Sequence, residues 1–229
     1  MKKAISSLIR NFLNKLELSS ESDPLLNPLS GDICVQYAFV IKNLLKLNKG
    51  AYKTVLDVGC CKSPLTTIIK ELGFAVDGID LRPTPVLYNG VNYIQGNFLS
   101  TGFKNSYDVV VMCYVIEHIG LKGRYTSPEI EDGDVKALKK AKQILNPGGI
   151  LILTVPYGEE KTIKPLHRIY NKNSKPLKYV YEETELIVEE FYKNNSENIW
   201  VKCEESEARE IVPTEDNFAL GLFAFRKKL

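Results

Sequence analysis

The sequence lacks the features that mark several large classes of protein. Its 30 basic and 28 acidic residues nearly balance, so the composition gives no sign of the basic face by which many proteins bind nucleic acid. No apolar run approaches the ~20 residues that a membrane-spanning helix requires. The N-terminus has neither a long apolar stretch nor a small-residue cleavage site, and secretion is therefore not expected.

Cysteine and histidine are also scarce. There are 5 cysteines, without a CxxC pair, and 2 histidines. This pattern is typical of a reducing compartment, so we expect a cytoplasmic protein without structural zinc. The histidines and the nearby acids show no recognisable ligand spacing, so no metal site is predicted. Cys60 and Cys61 are expected to pack rather than to bridge, because adjacent cysteines pair only with strain.

The N-terminal segment has an apolar stripe at helical spacing. It consists of Ile5, Leu8, Ile9, Phe12, Leu13 and Leu16. A turn-rich segment and a second helix over Val35–Leu47 follow. We therefore predict a helical lid or cap over residues 1–50 and a main domain over residues 51–229. The alternatives for the stripe are a membrane-surface contact through residues 1–17 and the contact surface of a homodimer.

From Lys53 onward, strand-like apolar runs alternate with helical patterns. The predicted strands are Thr54–Val58, Ala75–Ile79, Asn92–Ile94, Val109–Met112 and Ile150–Val155. The predicted helices are Leu65–Leu72, Val135–Leu145 and Glu183–Tyr192. This order predicts a doubly wound, Rossmann-like α/β fold, with a seven-stranded, mostly parallel sheet between two helical layers. Two later runs, Ile199–Cys203 and Phe218–Phe225, are expected to pair antiparallel at the C-terminal edge. The basic stretch over residues 161–178 is expected to be a solvated loop; the alternative is nucleic-acid binding by its interleaved cations and aromatics.

Polar residues follow the first three predicted strands. Asp57 ends the first strand and Gly59 begins a tight turn, where backbone without a Cβ lets a ligand approach. Asp80 ends the second strand, about twenty residues later, and is placed to accept hydrogen bonds from both ribose hydroxyls of an adenosine. Asn97 and Phe98 follow the third strand, where they suit an adenine edge and ring. Because ligands of open α/β sheets bind beyond the carboxyl ends of the strands, these groups predict a nucleoside site.

These segments, in this order, resemble the motifs of class I S-adenosylmethionine-dependent methyltransferases over roughly Lys53 to Pro156. The resemblance implies that Asp57 and Gly59 line the methionine end of the cofactor, Asp80 the ribose, and Asn97 with Phe98 the adenine. Further cofactor-contact candidates are Cys60, Leu81 and Tyr114. Two departures are a turn with one glycine in place of two or three, and Asn97 at a position that is commonly Asp.

A second stretch, from about Val115 to Tyr170, is similar to a methyltransferase-like family of unknown function with the pattern EHIGLGRYGDP…GD…PGG…HRIY. Its candidate catalytic and substrate residues here are Glu117, His118, Arg124, Tyr125, His167 and Arg168. The histidines suit the base of a methyl transfer to a hydroxyl, and the arginines suit a substrate carboxylate or phosphate. The structural alternatives are that the Glu-His pair orients its loop, that Arg124 and Tyr125 latch the sheet edge, and that Asp132 and Asp134 cap the next helix.

The leading functional hypothesis is therefore S-adenosylmethionine-dependent methylation of an oxygen on a small molecule or glycan precursor. One alternative is a non-catalytic binding module, suggested by the single glycine and by Asn97. RNA methylation is another, disfavoured because no Asn/Asp-Pro-Pro-aromatic or Pro-Cys element is present. Arg82 stands where the 2′-phosphate of a nicotinamide cofactor could be met, but the missing G-x-G-x-x-G motif argues against an oxidoreductase.

Overall fold

A computed structural model describes residues 31–85, 87–123, 125, 128–195 and 199–228. The apolar stripe over residues 5–16 and Arg124 lie outside the described residues. The helices are α1 (Asp32–Lys46), α2 (Leu65–Glu71), α3 (Gly133–Ile144), α4 (Lys175–Glu183) and α5 (Glu205–Arg209), with a 3-10 turn at Ile116–His118. The strands are β1 (Thr54–Val58), β2 (Ala75–Asp80), β3 (Asn92–Gln95), β4 (Tyr107–Cys113), β5 (Leu145–Tyr157), β6 (Lys161–Ile163), β7 (His167–Ile169), β8 (Thr184–Asn194), β9 (Trp200–Cys203) and β10 (Ala219–Lys227).

The main sheet confirms the predicted doubly wound α/β fold. Over the described residues it has eight strands in the order β3-β2-β1-β4-β5-β10-β8-β9. The strands β1 to β5 are mutually parallel, whereas β10, β8 and β9 join antiparallel. Strands β2 and β3 lie on one side of β1, and β4 and β5 lie on the other side. Where the strand order reverses in this way, a crevice opens at the carboxyl ends of the strands.

Helices cover both faces of the sheet, which explains why its central strands are buried on both sides. All four residues of Val109–Met112 are fully buried. On one face, Phe39 and Leu44 of α1 pack with Ile69 of α2, and on the other face Leu138 of α3 packs with Leu177 of α4. Helix α1 thus belongs to the core of the sheet, while the domain boundary near residue 50 stays a prediction.

The C-terminal third of the chain departs from the sequence prediction. The helix predicted over Glu183–Tyr192 is wrong, because this segment forms β8 and pairs with β10. Its β-branched and aromatic residues favour a strand, and the long partner strand β10 decides the outcome. The predicted pairing of Ile199–Cys203 with Phe218–Phe225 is wrong as well, because β8 lies between β9 and β10. The sheet therefore has an eighth strand, and β9, not β10, forms this edge.

The basic stretch over residues 161–178 is also not a simple loop. It contains β6 and β7, which form a two-stranded antiparallel sheet of their own, and the start of α4. Periodicity cannot detect strands of three residues, which explains the miss. Among the described residues, no helix is both long and apolar enough to cross a membrane.

Candidate active site

A pocket of about 490 Å³ opens at the carboxyl ends of β1, β2 and β4, within the size range of small-molecule sites. Most of the predicted cofactor residues lie along it. Those lining the pocket are Asp57, Gly59, Asp80, Leu81, Asn97, Phe98 and Tyr114, together with His118 and Tyr125 from the predicted catalytic set. The structure thus brings together residues from four separate segments of the chain.

Gly59 is required by the turn that follows β1. Its φ is +89°, and a Cβ at this position would lie 2.8 Å from Cγ2 of Val115. The Gly59 N–H donates to the carbonyl of Ile79 over 2.8 Å, which ties the turn to the end of β2. The single glycine therefore stands where the loops after β1 and β4 approach each other most closely.

Asp57 is a buried carboxyl group beneath this turn. Its Oδ2 accepts a hydrogen bond from Thr66 Oγ1 at 2.5 Å. Burial is the main cause that raises the pKa of Asp57 to about 6; the Thr66 hydrogen bond opposes the shift, and the charge of Asp80 adds to it. Asp57 therefore titrates closer to neutrality than an ordinary carboxyl group.

Asp80 holds the end of β2 against the turn. Its Oδ2 accepts from the Cys61 N–H at 2.9 Å, and its Oδ1 accepts from the Arg82 N–H at 2.8 Å. The Arg82 guanidinium adds Nε to Oδ1 at 3.2 Å and Nη2 to Oδ2 at 3.3 Å. The carboxylate predicted to meet the ribose thus faces the pocket with four N–H donors on it.

Asn97 and Phe98 lie together after the end of β3, and both line the pocket. A contact of both residues with one adenine needs such a placement. The Asn97 Oδ1 accepts from the Leu99 N–H at 2.9 Å, which fixes the turn. An amide oxygen has two lone pairs, so one acceptor site remains. Phe98 is largely buried and packs against Phe103 with ring centroids 5.9 Å apart.

Cys60 has a different placement from the other cofactor candidates. Its thiol is buried, and the Sγ atom lies 3.9 Å from Thr84 Oγ1. A Cβ at Gly78 would lie 2.9 Å from this Sγ. Burial raises the pKa of the Cys60 thiol to about 12, so it stays protonated. Cys60 fills the space behind the turn, and its neighbour Cys61 lines the pocket instead.

The loop after β4 supplies the other side of the pocket. Tyr114 has a positive φ of 53°, which is uncommon for an aromatic residue, and Thr154 Oγ1 accepts from its N–H at 3.0 Å. The His118 ring lies edge-on to Tyr114 and Tyr125, with centroids 5.9 and 5.3 Å away. Its Nδ1 lies 2.9 Å from the Leu166 carbonyl oxygen, and its Nε2 lies 3.6 Å from Oε1 of the fully buried Glu117.

His167 and Arg168 lie behind this loop and do not line the pocket. The His167 ring is buried edge-on against Phe218, 5.4 Å between centroids. The Arg168 Nη1 donates to the carbonyls of Glu117 at 3.3 Å and Ile119 at 3.0 Å, and its Nε lies 3.7 Å from Asp134. These contacts tie the loop after β4 to β7, which is a positioning role.

Two glycines and two acids of the second sequence pattern make structural contacts. A Cβ at Gly120 would lie 2.5 Å from the Ile130 carbonyl oxygen, and one at Gly133 would lie 2.7 Å from the Ile119 carbonyl oxygen. The two glycines therefore let the loop cross the start of α3. Asp132 stands at the N-cap of α3 but makes no side-chain cap bond, contrary to prediction, because its carboxylate pairs with Lys175. The Asp134 carboxylate accepts a hydrogen bond from the Tyr170 hydroxyl at 3.0 Å.

Sequence reasoning missed the contribution of α1 to the pocket. Gln36 and Tyr37 line it, and the Tyr37 hydroxyl lies 2.9 Å from Ser63 Oγ in the turn after β1. No local pattern distinguishes these polar residues from others on an amphipathic helix. The described residues contain no group of three or more His, Cys, Asp or Glu that could hold a metal ion.

These residues fit S-adenosylmethionine. Only a glycine fits the turn at Gly59, the Asp80 carboxylate faces the pocket at the end of β2, and Asn97 and Phe98 stand at the end of β3. The N–H groups of Gly59 and Cys60 donate to the Ile79 carbonyl and that of Cys61 donates to Asp80, so they are not offered to a pyrophosphate. A sulfonium nucleoside has no phosphate to hold.

Comparisons with known proteins agree with this geometry. A family model described as a methyltransferase domain matches residues 32–182. A search of curated protein sequences finds no match. Solved structures with this fold include the N-methyltransferase NodS from Bradyrhizobium japonicum WM9 in complex with S-adenosyl-L-homocysteine, at TM-score 0.55 and 15% identity over 97% of each chain.

Two further structures show how widely this fold is used. The 1,6-didemethyltoxoflavin-N1-methyltransferase from Burkholderia thailandensis has a TM-score of 0.56 and 14% identity, covering 100% of this chain and 90% of its own. The [4+2]-cyclase SpnF has a TM-score of 0.55 and 14% identity, covering 84% of this chain and 81% of its own. The family match spans most of the sheet and the whole described pocket, and the chain belongs to the methyltransferase domain family, as an S-adenosylmethionine-dependent methyltransferase of class I.

Proposed function

We propose that the protein methylates an oxygen of a small molecule or glycan precursor, with His118 as the base that removes the hydroxyl proton. One observation carries the proposal: His118 lines the same pocket as Asp57, Gly59 and Asp80, whereas His167 lies outside it. An oxygen that accepts a methyl group must lose its proton, and a positioned histidine is suited to take it.

The surroundings of His118 favour this role. A backbone carbonyl can only accept, so Nδ1 carries the proton that bonds to Leu166. Nε2 is then the nitrogen that gains and loses a proton. The Oε1 of the buried Glu117 lies 3.6 Å from Nε2, so an acid side chain stands beside the nitrogen assigned to take the proton.

The cofactor end of the pocket is assigned by the same proposal. S-adenosylmethionine supplies an electrophilic methyl group when it is bound. Asp80 accepts the ribose hydroxyls, the turn at Gly59 receives the methionine part, and Asn97 with Phe98 contacts the adenine. Cys60 is left out of this assignment, because its thiol is buried behind the turn and it does not line the pocket.

The test is methyl transfer to a panel of phenols, alcohols, sugars and amines, followed by release of S-adenosylhomocysteine. We expect turnover with hydroxyl acceptors and a loss of about 100-fold or more in kcat for His118→Gln, with the affinity for S-adenosylhomocysteine retained. His167→Gln is the matched control and should keep its kcat when folded, since His167 does not line the pocket.

Other outcomes discriminate the alternatives. Turnover of nitrogen acceptors alone, the acceptor atom that the names of NodS and the Burkholderia thailandensis enzyme give for those proteins, contradicts the oxygen assignment. Full activity of His118→Gln contradicts the base assignment. Tight binding of S-adenosylhomocysteine without turnover of any acceptor supports a non-catalytic binding module.

A further inference from the structure

Protein donors saturate the Asp80 carboxylate. A carboxylate offers about four lone-pair sites. All of them are used here, by the N–H groups of Cys61 and Arg82 and by Nε and Nη2 of the Arg82 guanidinium. A ribose diol therefore cannot be added to Asp80 unless some of these donors leave.

The Arg82 side chain is the donor that can leave. The two backbone N–H groups are fixed by the turns after β1 and β2, whereas the guanidinium is held by side-chain contacts alone. Its departure frees one site on Oδ1 and one on Oδ2, because Nε bonds the former and Nη2 the latter. Two neighbouring acceptor sites are what a ribose diol requires.

The guanidinium already contacts the acceptor side of the pocket. It lies 4.1 Å over the ring of Tyr125, and that ring lies edge-on to His118 at 5.3 Å. Its side chain is 32% exposed, and its other N–H groups have no hydrogen-bond partner among the described residues. The acids of the described lining, Asp57 and Asp80, both belong to the cofactor end, so a released Arg82 has no protein carboxylate to pair with there.

We propose that Arg82 competes with the cofactor ribose for Asp80, is released when the cofactor binds, and then holds an oxyanion of the methyl acceptor. The acceptor accordingly carries a carboxylate or a phosphate. An arginine stays charged at any working pH and binds either group through two parallel N–H bonds. The part of this inference that concerns the methyl acceptor rests on the proposed function. The part that concerns competition between Arg82 and the cofactor rests on the family's cofactor and on the contacts of Asp80.

The first experiment is calorimetric titration of the full chain with S-adenosylhomocysteine. Arg82→Met keeps the length of the side chain but removes the competitor, so we expect tighter binding by about threefold or more, because a larger fraction of the protein is competent to bind. Asp80→Asn should weaken binding. Arg226→Met, which removes a charge far from the pocket, is the matched control and should bind as the native protein does.

Weaker or unchanged binding by Arg82→Met would overturn the competition. Failure of the native protein to bind S-adenosylhomocysteine is a different result, since it removes the proposed function together with this inference. An active His118→Gln variant contradicts only the assignment of His118 as the base. It does not bear on the proposal for Arg82.

The second experiment is titration with benzoate, phenyl phosphate and the neutral benzyl alcohol, followed by NMR, with and without saturating S-adenosylhomocysteine. We expect at least one anion to bind more tightly than benzyl alcohol, and only in the presence of S-adenosylhomocysteine. The anion that binds more tightly, benzoate or phenyl phosphate, shows whether the site prefers a carboxylate or a phosphate. Absence of anion preference, or its persistence in Arg82→Met, overturns the acceptor assignment.

Discussion

Gly59 decides at the level of a single residue whether the turn after β1 can form. Its φ of +89° and the 2.8 Å approach to Val115 leave no room for a Cβ. We expect Gly59→Ala to lower the free energy of unfolding by about 1–3 kcal/mol and to weaken binding of S-adenosylhomocysteine. Gly102→Ala is the control, since a Cβ at Gly102 meets nothing within 4 Å. Urea unfolding and calorimetry measure both effects, and equal behaviour of the two variants contradicts the prediction.

Asp57 gives the protein a specific pH dependence. Its pKa is about 6 in the folded state against an ordinary 3.8, so the folded state holds the proton more tightly. The stability contributed by protonated Asp57 is complete below pH 3.8 and is lost as the pH rises through 6, by up to about 3 kcal/mol.

Asp57→Asn removes this titration and keeps an acceptor for Thr66. We therefore expect the free energy of unfolding of the native protein to fall relative to that of Asp57→Asn between pH 4 and pH 7. Urea unfolding at several pH values measures the difference, in which the other acids cancel. A constant difference across this range is the opposing result.

At the scale of elements, a polar network links α1 to the loop after β4. The fully buried Gln36 accepts from Thr154 Oγ1 at 2.5 Å, and Thr154 Oγ1 accepts from the Tyr114 N–H at 3.0 Å. This network holds Tyr114 in its positive-φ conformation. The helix thereby shapes the pocket from outside the strands that carry the recognisable motifs.

Gln36→Leu should break this network. We expect a loss of about 1–3 kcal/mol in the free energy of unfolding, because the Thr154 hydroxyl loses its acceptor in the core, and weaker binding of S-adenosylhomocysteine. Asn43→Leu is the control on the same helix: Asn43 is also buried but bonds only to the Phe39 carbonyl of its own helix. If both variants bind the ligand equally well, α1 does not position the pocket.

At the scale of the whole molecule, β10 joins the parallel and antiparallel halves of the sheet. It pairs with β5 on one side and β8 on the other, and Leu220, Leu222 and Phe223 are fully buried. A chain that ends at residue 216 should therefore show no cooperative unfolding by circular dichroism, because β5 and β8 both lose their partner. A chain that ends at Lys227 keeps β10 and should unfold cooperatively; cooperative unfolding of the shorter chain contradicts this role.

The parallel part of the fold, and the grouping of the residues proposed to bind the cofactor, follow from the sequence alone. Strands β1, β4 and β5 are recognisable because they are largely buried and contain apolar runs next to turn residues, whereas β3 is short and partly exposed. Asp57 and Asp80 lie near the carboxyl ends of β1 and β2, and Gly59, Asn97 and Phe98 follow β1 and β3. Their meeting at one sheet edge is therefore a consequence of parallel topology.

Only the tertiary structure decided the rest. His118 and His167 have similar sequence surroundings, yet only His118 lines the pocket. Arg168 bonds to backbone carbonyls, and Arg82 lies on Asp80, because the folded chain brings those partners within reach. The segment of β8 suits a helix or a strand by local pattern, and the pairing offered by β10 decides between them. Contacts between distant segments have no signal in local sequence, because they exist only once the sheet has assembled.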